Sequence, residues 1–313
     1  MIVLRASTPI DPLSDVLAVL GARSVRRTRL EASGTWGLTF EARSRLKFVA
    51  LVRGSCWVAA AGEPMQPMLP GDVFLLGAVD YAVASSPEAP LVDGTALYRD
   101  PAQETVCLGG DDTVLLGGGI AFADEHGRLL LDALPGFLKL ERASPSAASV
   151  AGTLALLERE VGQSRLGGSL ISARLAEILL VEALRATITD RGEATSGWLG
   201  ALGDPAIGTA LRAMHAAVAH PWTVADLAKR AGMSRSAFAL RFKERVGRPP
   251  LDYLAHWRLT LARRLLADGQ GTIAAVSEQV GYASQSSFGS AFRRAFGHSP
   301  RQAAVRTDRP GSV

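Results

Sequence analysis

Two segments near the C-terminal end of the chain carry small, polar and basic side chains at matching positions. On a helical wheel these side chains project away from the apolar face, with one small residue of each set at the edge. They are Ser236, Ala239, Leu240 and Lys243 in the first segment, and Ser286, Gly289, Ser290 and Arg293 in the second. Basic groups bind phosphates, hydroxyls hydrogen-bond to base edges, and an exposed apolar group contacts the thymine methyl. One such face is equally typical of a solvated helix, but two matching faces favour DNA binding.

These side chains lie within a sequence pattern that occurs twice, which indicates one structural unit used twice. Thr223 recurs as Thr272 at an offset of 49, and Phe238 recurs as Phe288 at an offset of 50, so the second copy has one extra residue in its turn. Each copy has a Thr helix cap, a short apolar helix, a Gly stop and a longer helix with Phe at i and i+4. The pattern predicts a helix-turn-helix in each copy.

A single long helix is predicted between the two copies. It begins at Pro250, continues to Ala267 and stops at Asp268-Gly269. At 1.5 Å per residue it would be roughly 25 Å long. A rigid spacer of this length can hold two recognition helices about one DNA turn apart, on the order of 34 Å, on one face of the duplex.

The region from about Ala206 to Val305 resembles the DNA-binding domain of the AraC family of bacterial transcription regulators. The signature of that family is two helix-turn-helix units joined by a long helix, and the resemblance covers about 100 residues. The most specific matches lie in the second copy, at Val280-Gly-Tyr282, Ser287-Phe288, Phe292-Arg-Arg-Ala-Phe-Gly297 and Ser299-Pro300.

The resemblance also implies which residues contact DNA. The implied base-reading positions are Ser236, Ala239 and Leu240 in the first recognition helix, and Gln285, Ser286, Gly289 and Ser290 in the second. Four basic residues are also expected to contact DNA: Arg235, Lys243, Arg293 and Arg294. The last three are expected to bind phosphates. The family often has a large polar or basic side chain where Leu240 and Ser290 stand in this chain.

The charge of the chain is divided unevenly between its two halves. Residues 201–313 contain 16 Lys and Arg and 7 Asp and Glu, a net charge of +9, whereas residues 1–200 have a net charge of −5. Clustered positive charge is typical of phosphate binding, and here it coincides with the repeat. The acidic half therefore needs a role other than DNA contact.

The N-terminal half changes to short extended segments from Trp36 to about Ala123, separated by Gly and Pro turns. This pattern predicts a sandwich or barrel. The order of Leu46–Arg53, Gly54 and Leu69–Leu76 resembles the cupin domain that precedes this DNA-binding unit in many family members. Before it, the sequence predicts a short helix from Asp11 to Leu20, followed by a solvated basic run that contains Arg23, Arg26, Arg27 and Arg29.

Two further helices are predicted between the two domains, at Ser146–Val161 and Ser169–Arg185. The resemblance implies that this helix pair mediates dimerisation, although its apolar stripe fits packing within one chain equally well. The residues of the stripe are Leu170, Ala173, Leu175, Ile178, Leu179 and Glu182. A polar segment, Arg191–Gly197, is predicted to be the linker to the DNA-binding domain.

The predicted fold is therefore α+β and multidomain, with an N-terminal all-β cupin-like barrel and helical hairpin before a C-terminal all-α double helix-turn-helix. The predicted divisions are residues 1–140 for a sensor domain, 141–200 for a helical dimerisation and linker region, 201–305 for the DNA-binding domain, and 306–313 for a tail.

The sequence offers no catalytic or metal site in the first domain. Metal-binding cupins use His ligands, and none of the five His falls among residues 1–125. Cys56 and Cys107 have no metal-ligand spacing, and Gly117-Gly-Gly119 lacks the Lys-Ser/Thr of a phosphate loop. We therefore expect no metal, no cofactor and no enzymatic activity.

A small β-barrel either fills with side chains or encloses a small ligand. The aromatic residues that could line an effector pocket are Trp36, Phe48, Trp57 and Phe74, and each could equally be plain core. The chain has no signal-peptide pattern and no apolar run of 18 residues, so a cytoplasmic location, nucleoid-associated when bound, is expected.

These observations predict a sequence-specific transcription regulator, an activator controlled by a small-molecule effector. Its expected partners are double-stranded DNA, RNA polymerase, the effector and a second copy of the chain, with no membrane. Two alternatives remain open at this point: the cupin is only a dimerisation scaffold, or the chain is a metal-dependent cupin enzyme fused to a DNA-binding domain.

Overall fold

The computed structural model describes residues 11–19, 23–41, 45–100, 103–121, 136–140, 142, 146–161, 166–191 and 197–305. The predicted tail, 306–313, and residues 192–196 of the predicted linker lie outside these ranges. The chain separates into two compact units, which are Ala22–Leu199, and Met1–Gly21 together with Gly200–Val313. The first helix of the chain thus groups with the C-terminal unit, whereas the sequence-based division placed it in the N-terminal domain.

The described strands of the N-terminal unit form two sheets. The strands are β1 (Arg23–Ala32), β2 (Gly37–Phe40), β3 (Arg45–Arg53), β4 (Cys56–Ala60), β5 (Gln66–Met68), β6 (Val73–Leu76), β7 (Tyr81–Ala84), β8 (Val92–Asp93), β9 (Thr105–Leu108), β10 (Thr113–Ala121) and β11 (Phe137–Leu140). One sheet has the order β11-β6-β3-β10-β1-β9, and the other has the order β5-β4-β7-β2-β8.

The two sheets share one hydrophobic core, because inward side chains alternate along each strand. From the first sheet the core receives Leu51 and Phe74, and from the second it receives Val58 and Val83, all of which are buried. The register that places Leu51 of β3 opposite Leu115 of β10 keeps this alternation aligned across neighbouring strands. The architecture is a cupin-like sandwich, and the described sheets do not close into the barrel that the sequence suggested.

Strand β1 occupies the segment where the sequence predicted a solvated basic run. That prediction is wrong for Arg27 and Arg29, whose side chains are 14% and 15% exposed. Arg27 pairs with Glu104, and Arg29 pairs with Glu31 of the same strand at 2.7 Å. These ion pairs allow a basic sequence to occupy a strand between β10 and β9 of the sheet.

Two helices complete the N-terminal unit and confirm the predicted helical hairpin. They are α2 (Ala147–Val161) and α3 (Gly168–Arg191). Helix α2 packs on α3, and α3 packs on β1, β10 and β11. The predicted stripe on α3 divides between two faces: Leu179 is buried within the unit, whereas Leu170 and Ile178 are exposed.

The described helices of the C-terminal unit confirm a double helix-turn-helix. They are α1 (Pro12–Val19), α4 (Gly197–Gly203, with its first three residues in the other unit), α5 (Pro205–Ala216), α6 (Val224–Arg230), α7 (Arg235–Val246), α8 (Pro250–Ala267), α9 (Ile273–Gln279), α10 (Gln285–Phe296) and α11 (Pro300–Val305). Helices α6 and α7 form the first helix-turn-helix, α9 and α10 form the second, and α8 is the spacer.

Helix α1 packs against α5 and α8 of this unit. Asp15 of α1 lies 3.2 Å from Nδ1 of His215, a fully buried side chain on α5. The other ring nitrogen of His215 lies 2.8 Å from the hydroxyl of Tyr253, and the ring stacks on Trp257 at 4.4 Å. A polar chain thus links the first helix of the sequence to the spacer helix α8.

Candidate nucleic-acid interface

The first helix-turn-helix is fixed at its ends by side-chain caps. Thr223 and Asp226 form a capping box at the start of α6, in which the Thr hydroxyl accepts from the Asp226 amide at 3.1 Å. Ser234 caps α7, because its hydroxyl accepts from the amide of Ala237 at 3.3 Å. Gly247 ends α7 in the left-handed conformation, with φ of 81°. These local signals set where the first recognition helix begins and ends.

The second helix-turn-helix repeats this construction. Thr272 caps α9, Ser284 caps α10, and Gly297 ends α10 with φ of 74°. Helix α10 has 12 residues, the same length as α7. The extra residue of the second copy falls in the turn between Gly281 and Ser284, as the repeat offsets predicted.

Each recognition helix is attached to its unit by a pair of Phe side chains one turn apart. Phe238 and Phe242 of α7 are fully buried with ring centroids 5.5 Å apart, and Phe288 and Phe292 of α10 have the same burial and the same separation. Because the Phe residues occupy corresponding inward positions, corresponding positions of the two helices also face outward.

The predicted DNA-contacting side chains lie on those outward faces. The exposed ones are Arg235, Ser236, Leu240, Lys243, Gln285, Ser286, Ser290, Arg293 and Arg294, and the half-buried ones are Ala239 and Gly289. The helical wheel placed these last two residues at the edge of the face. Helix α10 has Arg293 and Arg294 as its charged residues and no acidic residue, so its surface is purely cationic.

The orientation of α7 depends on the buried carboxylate of Asp204, the residue that caps α5. Asp204 is 1% exposed and accepts from the amides of Ala206 and Ile207 at the start of α5. It also accepts from Nε of Arg241 on α7 at 2.9 Å, and Arg245 lies 3.7 Å away. The inward side of the recognition helix is therefore bound ionically to α5.

The protonation state of Asp204 follows from these contacts. Burial by itself would raise the pKa of this carboxyl. The hydrogen bonds from Ile207, Arg241 and Ala206 together outweigh burial and lower the pKa below its ordinary value. The carboxylate is therefore charged at neutral pH and pairs with Arg241.

A second positioning residue, Arg258, connects the two helix-turn-helix copies from the spacer helix. Its guanidinium donates to the carbonyls of Val218 at 2.8 Å and His220 at 2.7 Å, just before the first copy. It also donates to the carbonyl of Gly281 in the turn of the second copy, at 3.4 Å. At Gly281 a Cβ atom would lie 2.7 Å from the backbone of Ala219, so the turn of the second copy is in direct backbone contact with the segment that leads into the first copy.

The aromatic residues predicted to line an effector pocket occupy different places. Trp36 and Phe74 are buried in the shared core of the two sheets, and Trp57 is half-buried on β4. Phe48 is among the lining residues of a cavity of about 340 Å³ in the N-terminal unit. Sequence reasoning missed the polar lining of this cavity.

Glycines of β10 are part of the lining of that cavity. The inward series on β10 runs from Leu115 to Gly117 and Gly119, and a Cβ atom at the two glycines would lie 2.6 Å from Oγ1 of Thr28 and 2.8 Å from the carbonyl oxygen of Leu46, respectively. The remaining lining residues are Thr28, Leu30, Phe40, Glu41, Lys47, Val49, Tyr81, Val83, Thr95, Tyr98, Arg99, Leu116 and Gly118. Its volume lies within the range of small-ligand pockets, about 300–1,000 Å³.

The residues that the structure describes hold neither a metal-ligand cluster nor a membrane-spanning helix. Among these residues, no group of three or more His, Cys, Asp and Glu side chains could hold a metal ion. No helix within the described part of the chain is long and apolar enough to span a bilayer.

Comparisons with known proteins agree with this architecture. A family model described as Cupin matches residues 11–189, and one described as Helix-turn-helix domain matches residues 227–306. An AraC-like transcription regulator of Streptomyces lividans is 39% identical over 295 residues, which cover 93% of this chain and 97% of that protein. The HTH-type transcriptional regulator AlkR of Acinetobacter baylyi is 29% identical over 301 residues, which cover 93% of this chain and 98% of that protein.

Among solved structures, the DNA-binding domain of AdpA in complex with a target DNA is 32% identical. The match covers 35% of this chain and 99% of that domain, with a TM-score of 0.32. The full-length identity to the Streptomyces regulator and the two family models together establish the relationship. This chain belongs to the AraC family of DNA-binding transcription regulators, with a cupin domain ahead of its helix-turn-helix domain.

Proposed function

We propose that this regulator binds a bipartite DNA site by placing α7 and α10 in two successive major grooves. The observation that carries the proposal is the duplicated construction. Two helices of equal length, each capped by Ser and closed by a left-handed Gly, present equivalent exposed faces. The spacer helix α8 has 18 residues and is therefore about 27 Å long, which suits grooves one DNA turn apart.

The residues of the two faces divide into two roles by chemistry. Long cationic side chains reach phosphates and give affinity without sequence information. We assign this role to Arg235, Lys243, Arg293 and Arg294. Short side chains allow the helix backbone to lie close to base edges, and we assign this role to Ser236, Ala239, Ser286, Gly289 and Ser290. Gln285 is longer, and we assign it a hydrogen bond to a base edge.

Leu240 differs from the other proposed base contacts because it is large, apolar and 62% exposed. Most of this side chain lies in solvent, so packing within its unit does not explain a leucine at this position. In a major groove it would contact the C5-methyl group of thymine. We therefore propose that the first half-site contains a thymine under Leu240.

We propose that the regulator is a homodimer through α2 and α3. Leu170, Ile171 and Ile178 of α3 are exposed, and the spacing of the last two places them on one face. A second copy of the same face is the occupant that a closed two-fold dimer provides. Ile178→Glu should convert the dimer to a monomer, as measured by analytical ultracentrifugation. An unchanged dimer would place the interface elsewhere.

We propose that the cupin domain binds a small-molecule effector in the cavity beside β10 and thereby changes DNA occupancy. Such control requires the effector to bind two states of the protein with different affinity. The alternative of a pure dimerisation scaffold predicts no ligand effect on DNA binding. A metal-dependent enzyme is disfavoured because the sequence has no His among residues 1–125.

The remaining parts of the proposal concern the cellular role. We propose transcription activation through contact with RNA polymerase in the cytoplasm. In vitro transcription from a selected site, with and without the regulator, tests the sign of this effect. Fewer transcripts in the presence of the regulator would make it a repressor.

The test of the DNA-binding assignment is the salt dependence of affinity for a site obtained by selection from random duplexes. Arg293→Ala should weaken binding to all sequences and reduce the slope of log K against log salt by about 1. Arg53→Ala on β3, also an exposed Arg, is the matched control and should change neither quantity. Equal effects of both substitutions, or a loss confined to one sequence, would contradict the phosphate role.

A further inference from the structure

The cavity in the N-terminal unit has a cationic group at an inward position. On β3 the side chains of Leu51 and Val49 point into the shared core, and Lys47 is the next residue of that inward series. An aliphatic residue would be expected at this position if the space were simply filled. The chain instead places an ammonium group among cavity-lining residues.

Aromatic rings hold this ammonium group on one side. Nζ of Lys47 lies 4.7 Å from the ring centroid of Tyr81 and 5.6 Å from that of Phe40. Both distances are within the range of cation–π attraction. The two rings are stacked, with centroids 4.9 Å apart and an interplanar angle of 17°. The result is a flat apolar wall with a positive charge against it.

A further aromatic side chain of the cavity, Tyr98, belongs to the 3-10 helix Thr95–Tyr98. The ring of Tyr98 lies 6.3 Å from Phe40, and its hydroxyl donates to the carbonyl of Arg29 at 3.2 Å. That hydrogen bond fixes the ring. The next residue, Arg99, is exposed and adds a second cation to the lining.

The charges of the lining favour an anionic ligand. Lys47 and Arg99 are positive, Glu41 is the one acidic lining residue, and Glu41 is exposed. A half-buried ammonium interacts favourably with a carboxylate through charge-assisted hydrogen bonds. Lys47 would repel a cationic ligand from the aromatic faces to which such a ligand would otherwise bind.

We propose that this cavity binds an aromatic carboxylate, with the carboxylate at Lys47 and the ring along the Phe40–Tyr81 wall. This inference rests on the proposed effector role only where it links ligand binding to a change in DNA binding. Binding itself depends on the cavity, the rings and the cation. The volume of about 340 Å³ accommodates a two-ring acid, and glycines of β10 are among the lining residues.

The experiment compares 2-naphthoate with 2-naphthamide, a neutral ligand of the same shape, by calorimetry on the full chain. Naphthoate should bind at least tenfold more tightly than the amide. Lys47→Met should remove that preference, and Lys47→Arg should retain most of it because the charge is kept. Arg53→Met is the matched control, since Arg53 lies on the same strand, is exposed and pairs with Asp111 outside the cavity.

Equal affinity for the two ligands, an unchanged preference in Lys47→Met, or no binding of naphthoate would each overturn the inference. DNA affinity measured with and without each ligand separates it from the effector proposal. Naphthoate binding without any change in DNA affinity would leave the inference intact and remove the effector role. A change in DNA affinity caused by the amide alone would keep an effector role and overturn the preference for anions.

Discussion

The ion pair between Asp204 and Arg241 should orient the first recognition helix, and substitutions at its two ends should have unequal costs. Asp204→Asn keeps a side chain that caps helices as well as Asp does, but it removes the charge. Asp204→Ala removes both the cap and the charge. Arg241→Met leaves the Asp204 carboxylate, which is 1% exposed, without its main partner.

The structure sets the order of these effects on the free energy of unfolding. Asp204→Asn should cost about 1.5–3 kcal/mol, the value of a hydrogen bond to a charged group, because Arg241 is 37% exposed and regains water. Asp204→Ala should cost about 1 kcal/mol more, for the cap. Arg241→Met should cost about 3–5 kcal/mol because an uncompensated carboxylate stays buried, although Arg245 at 3.7 Å reduces this figure.

Native-state hydrogen exchange of amides in α5 and α7 measures these costs within the intact chain. Each 1.4 kcal/mol appears as about tenfold faster exchange when reclosing is faster than chemical exchange, because the exchange rate then follows the opening equilibrium. The double variant Asp204→Asn with Arg241→Met should exchange more slowly than Arg241→Met alone. Equal effects of the two single substitutions, both below about 0.5 kcal/mol, would refute the reasoning and class the contact as a surface pair.

The same pair predicts a pH dependence with a definite sign. The folded-state pKa of Asp204 is lowered, so its stabilisation is present above the unfolded pKa of about 3.9 and is lost as pH falls through the folded pKa. The stability difference between the wild type and Asp204→Asn should be constant near neutral pH and shrink below about pH 4. A difference that grows on acidification would contradict the assignment.

Three further outcomes are expected. Arg258→Met should lower affinity for a two-groove site more than for one half-site, because the guanidinium joins both helix-turn-helix copies; equal losses in a binding titration would contradict this role. Leu240→Gln should change the base selected in the first half-site while stability stays within about 0.5 kcal/mol, and an unchanged selected base would remove Leu240 from the groove. Thiol titration of the native protein should detect exposed Cys107 rapidly and Cys56 only on unfolding, because burial raises the pKa of the Cys56 thiol to about 12; two rapid thiols would contradict that burial.

The double helix-turn-helix could be predicted closely because its signals are local. Thr and Ser caps, left-handed Gly residues and paired Phe residues each act within a few positions along the chain. A helical wheel then determines which side chains face outward once Phe238 and Phe242 are known to face inward. The residues that join the helices, Arg241 and Arg258, act across 37 and up to 40 positions and have no such signal.

The N-terminal unit was less predictable for the same physical reason. Strand β1 was missed because its basic residues form ion pairs with Glu31 and Glu104, and the latter lies far along the chain. The residues predicted to line a pocket share only Phe48 with this cavity, because aromatic type alone does not distinguish core from pocket. The informative signal was the pair of inward glycines, Gly117 and Gly119, of which Gly119 pairs with Lys47 of β3.

The most direct test of the central claim is a hydroxyl-radical footprint of the full chain on a selected DNA site, combined with insertion of half a helical turn between the half-sites. The account predicts two protected regions about 10 base pairs apart on one face of the duplex. An insertion of about five base pairs should abolish protection of one region and weaken binding, because α8 is rigid. One protected region in the original site, or affinity unaffected by the insertion, would contradict recognition by both helices.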